Sequence, residues 1–193
     1  MDRLQNLFRS FLQHMQCYIL LMLLSAAIST QAIAQNPSLP EYKLKVALIY
    51  KLTKFITWPE ELLNQQGFFG ICVLGETNFG KLLKALEQRS VAGQPIRVFQ
   101  YEQSDEIKSS CSILYISESK QGFVSSIFHN IKDKSILTLA DFDRFAELGG
   151  IIEFTSRGNK IGFKINQQEA ERHQIRISAP LLQLATIVEK EAE

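Results

Sequence analysis

The chain is poor in the residues that usually carry chemistry. Its 193 residues include three Cys, three His and one Trp. Beyond the first 34 residues only His129 and His173 remain, far apart and without ligands at metal-binding spacing. No G-x-S-x-G run appears, and no Ser–His–Asp arrangement suggests itself, so the common acyl-transfer signatures are absent. Charge of one sign is missing too: 21 Lys+Arg face 20 Asp+Glu. A nucleic-acid binder ordinarily shows a clustered basic excess, so that class is not indicated. There is no internal repeat and no low-complexity tract. These absences point away from catalysis and toward a protein that works by contact.

What is present begins with a leader. Arg3 and Arg9 form a charged start, "CYILLMLLSAAIS" an apolar core, and Ala32-Ile33-Ala34 a small-x-small cleavage signal. The apolar run is about a dozen residues, short of the roughly 20 that span a bilayer. We read residues 1–34 as a signal peptide cleaved after Ala34, with a retained anchor as the alternative. The leader carries Arg3, Arg9 and Asp2, so 19 basic and 19 acidic residues remain in the exported chain. That length suits one ordinary domain.

Residues 35–44 read as a linker and helix start, followed by one domain over 45–190. In "EYKLKVALIYKLTKFITWP", Leu44, Leu48, Leu52 and Phe55 recur at helical spacing and are expected to face inward. The interleaved lysines and aromatics also resemble a membrane-surface or nucleic-acid helix. The simpler reading is a core helix with a solvated basic edge, with Tyr50 and Trp58 buried on the sheet. "GICVLG", "GQPIRVFQY", "CSILYIS" and "SILTLA" read as strands. "NFGKLLKALEQRS" reads as a helix with Leu82, Leu83 and Leu86 inward. "ESKQGFVSSIFHNIKDK" is another, with Phe123, Ile127 and Ile131 on one stripe. "DFDRFAELG" reads as a short helix capped by Asp141 and ended by Gly149. "GIIEFTSRGNKIGFKIN" alternates as a hairpin around "RGNK". Asn166 and Glu169 form a capping-box pattern. "SAPLLQLATIVEK" reads as an amphipathic helix burying Leu181, Leu184, Ala185 and Val188. Strands alternating with helices imply an α/β/α sandwich, a mostly parallel doubly wound sheet ending in an antiparallel hairpin.

Gly75, Gly80 and Lys81 stand at the G-x-x-x-x-G-K spacing of a phosphate loop, but Leu82 replaces the required hydroxyl residue and Glu76 puts a carboxylate in the loop. The spacing is read as chance. Ser117 and Asp141 end strands on the edge where doubly wound sheets hold ligands, although helix caps explain them as well. With Gly75 they outline a strand-end crevice that suits a small-molecule sensor or carrier. Cys72 and Cys111 lie at the starts of the first and third strands. In the order 2-1-3-4-5 these strands are neighbours, which brings the sulfurs within bonding reach; two buried thiols are the alternative.

The runs "YKLKVALIYKLTKFITWP", "ICVLG", "GQPIRV", "CSILYIS", "ILTLADFDRFAELGGIIEF", "NKIGFKIN" and "IRISAPLLQLATIV", in this order over about 45–188, resemble the YfiR family of periplasmic proteins. The resemblance implies a non-catalytic periplasmic regulator, without cofactor or metal, and a homodimer. Its implied partner is the periplasmic domain of a membrane diguanylate cyclase, held down so that cyclic-di-GMP and biofilm formation fall. An outer-membrane lipoprotein of the YfiB type is the implied releasing partner. Cys72 and Cys111 match the family's first cysteine pair, whereas a second pair near 145–153 has no counterpart. Arg176 matches an arginine at a small-ligand site, with Ser178 where the companion histidine stands.

These readings predict that the protein neither binds nor hydrolyses magnesium-ATP. Lys81→Ala should leave its behaviour unchanged in equilibrium nucleotide binding and phosphate-release assays; turnover lost specifically in that variant would restore the phosphate loop.

Overall fold

The computed structural model describes residues 39–60, 67–108, 110–157 and 160–189, which lie in a compact unit spanning Ser38–Glu193. The expected leader falls outside the described residues. The sheet is built on strands that are apolar throughout. β2 (Phe69–Leu74), β5 (Ile113–Ile116) and β6 (Leu137–Ala140) are buried at every position, as parallel strands covered on both faces must be. β4 (Gln94–Tyr101) lies parallel to β2, and β7 (Ile152–Arg157) parallel to β6. The order β4-β2-β5-β6-β7 is the expected 2-1-3-4-5. β8 (Lys160–Asn166) returns antiparallel to β7, pairing Ile152 with Ile165 and Phe154 with Phe163. Residues 158 and 159 of its turn lie outside the described residues. A short β3 (Ser90–Val91) caps the far edge antiparallel to β4.

Alternation along the central strands divides the core in two. Ile71, Val73, Ile113 and Tyr115 face one cluster; Cys72, Leu74, Leu114 and Ile116 face the other. The first face is covered by α1 (Leu39–Leu52) and by α2 (Gly80–Leu83) with the 3-10 turn Lys84–Gln88. The second is covered by α3 (Val124–Ile131) and the turns that carry Phe142 and Phe145. This is the expected α/β layering with its antiparallel hairpin; the antiparallel β3 at the other edge is an addition to it.

Several local expectations are corrected. The buried stripe of α1 is Val46, Ile49 and Leu52 together with Lys45, while Leu44 and Phe55 are 43% and 39% exposed. The helix carries two apolar stripes, and a buried ionic partner, remote in sequence, selects between them. Tyr50 is only half buried, unlike Trp58, whose indole N–H donates to the Ser112 carbonyl at 3.1 Å. The helix expected after Asn78 reduces to one α-turn and the 3-10 turn. Residues Glu118–Phe123 are also 3-10, which turns Phe123 out to 63% exposure and puts Val124 in its place on the buried stripe. Residues 141–149 form successive turns, with no helix for Asp141 to cap. Asn166 does cap α4 (Gln167–Arg172), accepting from Glu169 N–H at 3.0 Å; Glu169 itself pairs with Arg172.

The largest change is at the C-terminal end. The expected helix is a single turn, α5 (Ala179–Leu182), followed by strand β10 (Thr186–Val188) parallel to β8. Thr186, Ile187 and Val188 are β-branched and favour a pleated conformation, and β8 offers a free edge for pairing. Leu184, expected inward, is 75% exposed. A separate two-stranded ribbon pairs β1 (Ile56–Thr57) with β9 (Arg176–Ile177).

Cys72 and Cys111 are joined as a disulfide, with Cα atoms 5.7 Å apart and both residues fully buried. Cys72 is the fourth residue of β2 and not at its start; Cys111 lies two residues ahead of β5. Gly70 permits this approach, because a Cβ there would meet the Ser110 carbonyl oxygen within 1.8 Å. Closing a chain separation of 39 residues contributes roughly 3–4 kcal/mol in the chain-entropy account. Cys72→Ser should lower stability by about 2–4 kcal/mol in denaturant titration. Mass spectrometry of alkylated, non-reduced protein should find no free thiol at either position; alkylation of both would overturn the bond.

Candidate functional site

Gly75, Ser117 and Asp141 all stand at the carboxyl ends of their strands, but the structure does not gather them into one open crevice. Gly75 and Ser117 are neighbours. Gly75 takes φ +84°, and a side chain there would lie 2.5 Å from Ser117 Oγ. Ser117 Oγ and Ser119 Oγ are 2.6 Å apart, and Ser119 Oγ accepts the Glu76 N–H at 3.3 Å. Lys81 is exposed and α2 is a single turn.

Asp141 is occupied by the protein itself. Lys45 Nζ lies 2.7 Å from its carboxylate and 3.0 Å from Glu41 Oε1, and the Tyr115 hydroxyl donates to the same Asp141. Lys45 is only 3% exposed. Burial works against its charge, but the hydrogen bonds and charges of Asp141 and Glu41 outweigh that and hold its pKa above 10.5. Burial, then the Asp141 charge, pushes the Tyr115 phenol well above its ordinary range. Tyr42 on the same helix packs against Phe79, which meets Tyr115 edge-on at 4.7 Å. The N-terminal half of α1 therefore seals the strand ends of β5 and β6.

The open part of the edge lies at the ends of β2 and β4, beside α3. A cavity of about 350 Å³ is lined there by Leu74, Glu102, Asp105, Lys120, Phe123 and Asn130, among others. Lys120 Nζ stands 3.9 Å from Glu102. A second cavity of about 350 Å³ lies by the β1–β9 ribbon, lined by Trp58, Glu171, Gln174 and Arg176 among others. Ser178 is not among its lining residues; it precedes α5, its N–H donates to the Phe55 carbonyl, and its hydroxyl is buried without a hydrogen-bond partner. Arg176 and Ser178 thus stand near one ribbon end without converging on one cavity. His129 is exposed, and His173 Nδ1 lies 2.6 Å from the Lys134 carbonyl. Among the described residues no group of acidic, His or Cys side chains suits a metal ion, and no helix is long and apolar enough to cross a membrane.

Sequence reasoning missed a second buried ionic group. Glu153, on β7, accepts the Ala146 N–H and pairs with Lys164 at 3.2 Å, which also reaches Glu147 at 3.0 Å. The hydrogen bond to Glu147 leads in raising the Lys164 pKa. Asn166 donates to the Ala146 carbonyl at 3.0 Å. The 145–153 segment, where a second cysteine pair is lacking, is thereby held by hydrogen bonds. The strict alternation Ile152-Glu153-Phe154 was the available signal, since it sends Glu153 to the covered second face.

A family model described as YfiR/HmsC-like (DUF4154) matches residues 42–186. No curated protein matches the chain. Among solved structures, a conserved domain protein from Vibrio cholerae O1 biovar El Tor is similar, with TM-score 0.56, 13% identity and 76% of this chain covered. An ABC domain in complex with L-Trp from Streptococcus pneumoniae is similar with TM-score 0.51, 14% identity and the same coverage. The chain spans 59% and 60% of the lengths of those two proteins. At these identities the likeness concerns the fold alone.

The Lys45 group carries a pH prediction. A raised lysine pKa stabilises the fold fully below the unfolded value and ceases to as pH rises through the folded one; the raised Tyr115 acts in the same direction. Stability measured by denaturant titration should therefore fall above pH about 10.5, and Lys45→Met should flatten that fall. Asp141→Asn should destabilise at neutral pH toward the low end of roughly 3–5 kcal/mol, because Glu41 still pairs with the buried lysine.

Proposed function

Because the chain belongs to the YfiR/HmsC-like family, we propose that it is a periplasmic binding regulator that restrains a membrane diguanylate cyclase by contacting its periplasmic domain. The family is one of periplasmic, non-catalytic regulators, and the match over residues 42–186 carries the reading. One geometric feature supports the non-catalytic part of this reading. At the ends of β5 and β6 the polar side chains are engaged with one another to hold α1 down, which is a folding role. A homodimer is the working form in this reading, and an outer-membrane lipoprotein of the YfiB type the releasing factor.

A second reading is favoured by one observation, the cavity at the β2 and β4 ends with Lys120, Glu102 and exposed Phe123 on its wall. A small molecule seated there would make the protein a sensor or carrier.

Deleting the gene should raise cellular cyclic-di-GMP and surface attachment, and the protein should co-purify with a membrane cyclase. Unchanged nucleotide levels across growth conditions would reject the cyclase assignment. If Lys120→Ala then abolished a ligand-induced thermal shift while cyclic-di-GMP stayed constant, the sensor reading would replace it.

A further inference from the structure

The face of α1 turned away from the sheet has no explanation in the core. From Tyr42 to Pro59 the chain holds four lysines and no acidic residue. Lys45 is the buried one; Lys43, Lys51 and Lys54 are exposed. Exposed with them are Leu44, Ala47 and Phe55, two of which are large apolar side chains facing solvent. On a helix of 3.6 residues per turn, Lys43, Leu44, Ala47 and Lys51 share one side, opposite Ile49. Lys54 and Phe55 follow in the hydrogen-bonded turn that ends the helix. Beside them Tyr50 holds two cations at its ring, Lys54 Nζ at 5.5 Å and the Arg89 guanidinium at 5.6 Å. Glu41 and Glu60 flank this stretch: Glu41 is tied to Lys45 and Ser156, and Glu60 is exposed after Pro59, beyond α1.

We propose that this face of α1 is a docking surface for an anionic phospholipid bilayer. The chain as a whole carries almost no net charge, so a helix face that is basic without any acid is a local feature. Basic side chains interleaved with exposed Leu and Phe and a half-buried Tyr are the composition of helices that lie in the headgroup plane. Lysine stems extend along such a surface while their ammonium groups reach phosphates, and the apolar side chains enter the acyl boundary. None of these residues lines either cavity at the strand ends or the ribbon, and a bilayer, being flat, needs no groove. Docking by this face would leave the opposite side of the sheet, with α3, turned to the aqueous space. The inference does not depend on the cyclase reading, since lipid alone is the partner.

The test is co-sedimentation of the protein, in the form cells process it to, with vesicles of phosphatidylcholine alone or mixed equally with phosphatidylglycerol. The readout is the gain in binding caused by phosphatidylglycerol. Lys43→Glu/Lys51→Glu should weaken that gain about 30-fold or more, as should high salt; Leu44→Ser/Phe55→Ser should weaken it too. Lys108→Glu/Lys132→Glu changes the net charge equally at exposed sites elsewhere and should keep it. No phosphatidylglycerol-dependent gain, or equal loss in both charge-reversed pairs, would overturn the proposal. So would a face that ignores vesicles but binds a soluble acidic protein domain through the same lysines.

Discussion

The structure depends on a lysine placed where a lysine is costly. Lys45 is buried at the strand ends and is tolerated there because Asp141 and Glu41 both reach its ammonium group, with Tyr115 completing the Asp141 shell. A buried ion pair is weak evidence of stability in itself, but it is demanding about geometry. Here the demand fixes the rotation of α1. Turning the helix by one residue would take the ammonium away from Asp141 and leave it only Glu41, which turns with it. The pair thus decides which apolar stripe enters the core and which is left outside.

From that rotation the rest of the first layer follows. With Lys45 inward, Val46, Ile49 and Leu52 meet Ile71, Val73 and Tyr115 on the sheet, and Tyr42 reaches Phe79 and Asn78. The edge at which doubly wound sheets usually hold ligands is closed over β5 and β6 and remains open only over β2 and β4. On the other side, Leu44 and Phe55 are left in solvent with the lysines. One ionic contact therefore both removes a ligand crevice and creates an exposed basic and apolar face. The second layer is organised by different means, a disulfide between β2 and the entry to β5, and Glu153 with Asn166 holding the turn beneath α3.

Strand order and the cysteine neighbourhood were legible in the sequence because they rest on local signals. Central parallel strands are apolar runs, their alternation with helical segments dictates crossovers, and an order of 2-1-3-4-5 places the first and third strands side by side. The hairpin of β7 and β8 was legible for the same reason, as period-two alternation around a glycine turn. The Asn166 cap belongs with these, since its partner stands three residues away.

What the sequence by itself determined was the set of elements whose stabilising partners are near in the chain or imposed by periodicity. Tertiary structure decided the rest. The face of α1 awaited Asp141, 96 residues distant, and apolar spacing alone cannot choose between two stripes. The segment after Leu182 is amphipathic as a helix and β-branched as a strand, and the unpaired edge of β8 settled it. Arg176 and Ser178 are two residues apart in the chain, but ribbon pairing set one into a cavity wall and the other at a helix start. Long-range pairing supplies a free energy that no short window of sequence contains, so where two local conformations are nearly equal, the remote partner selects the one that forms.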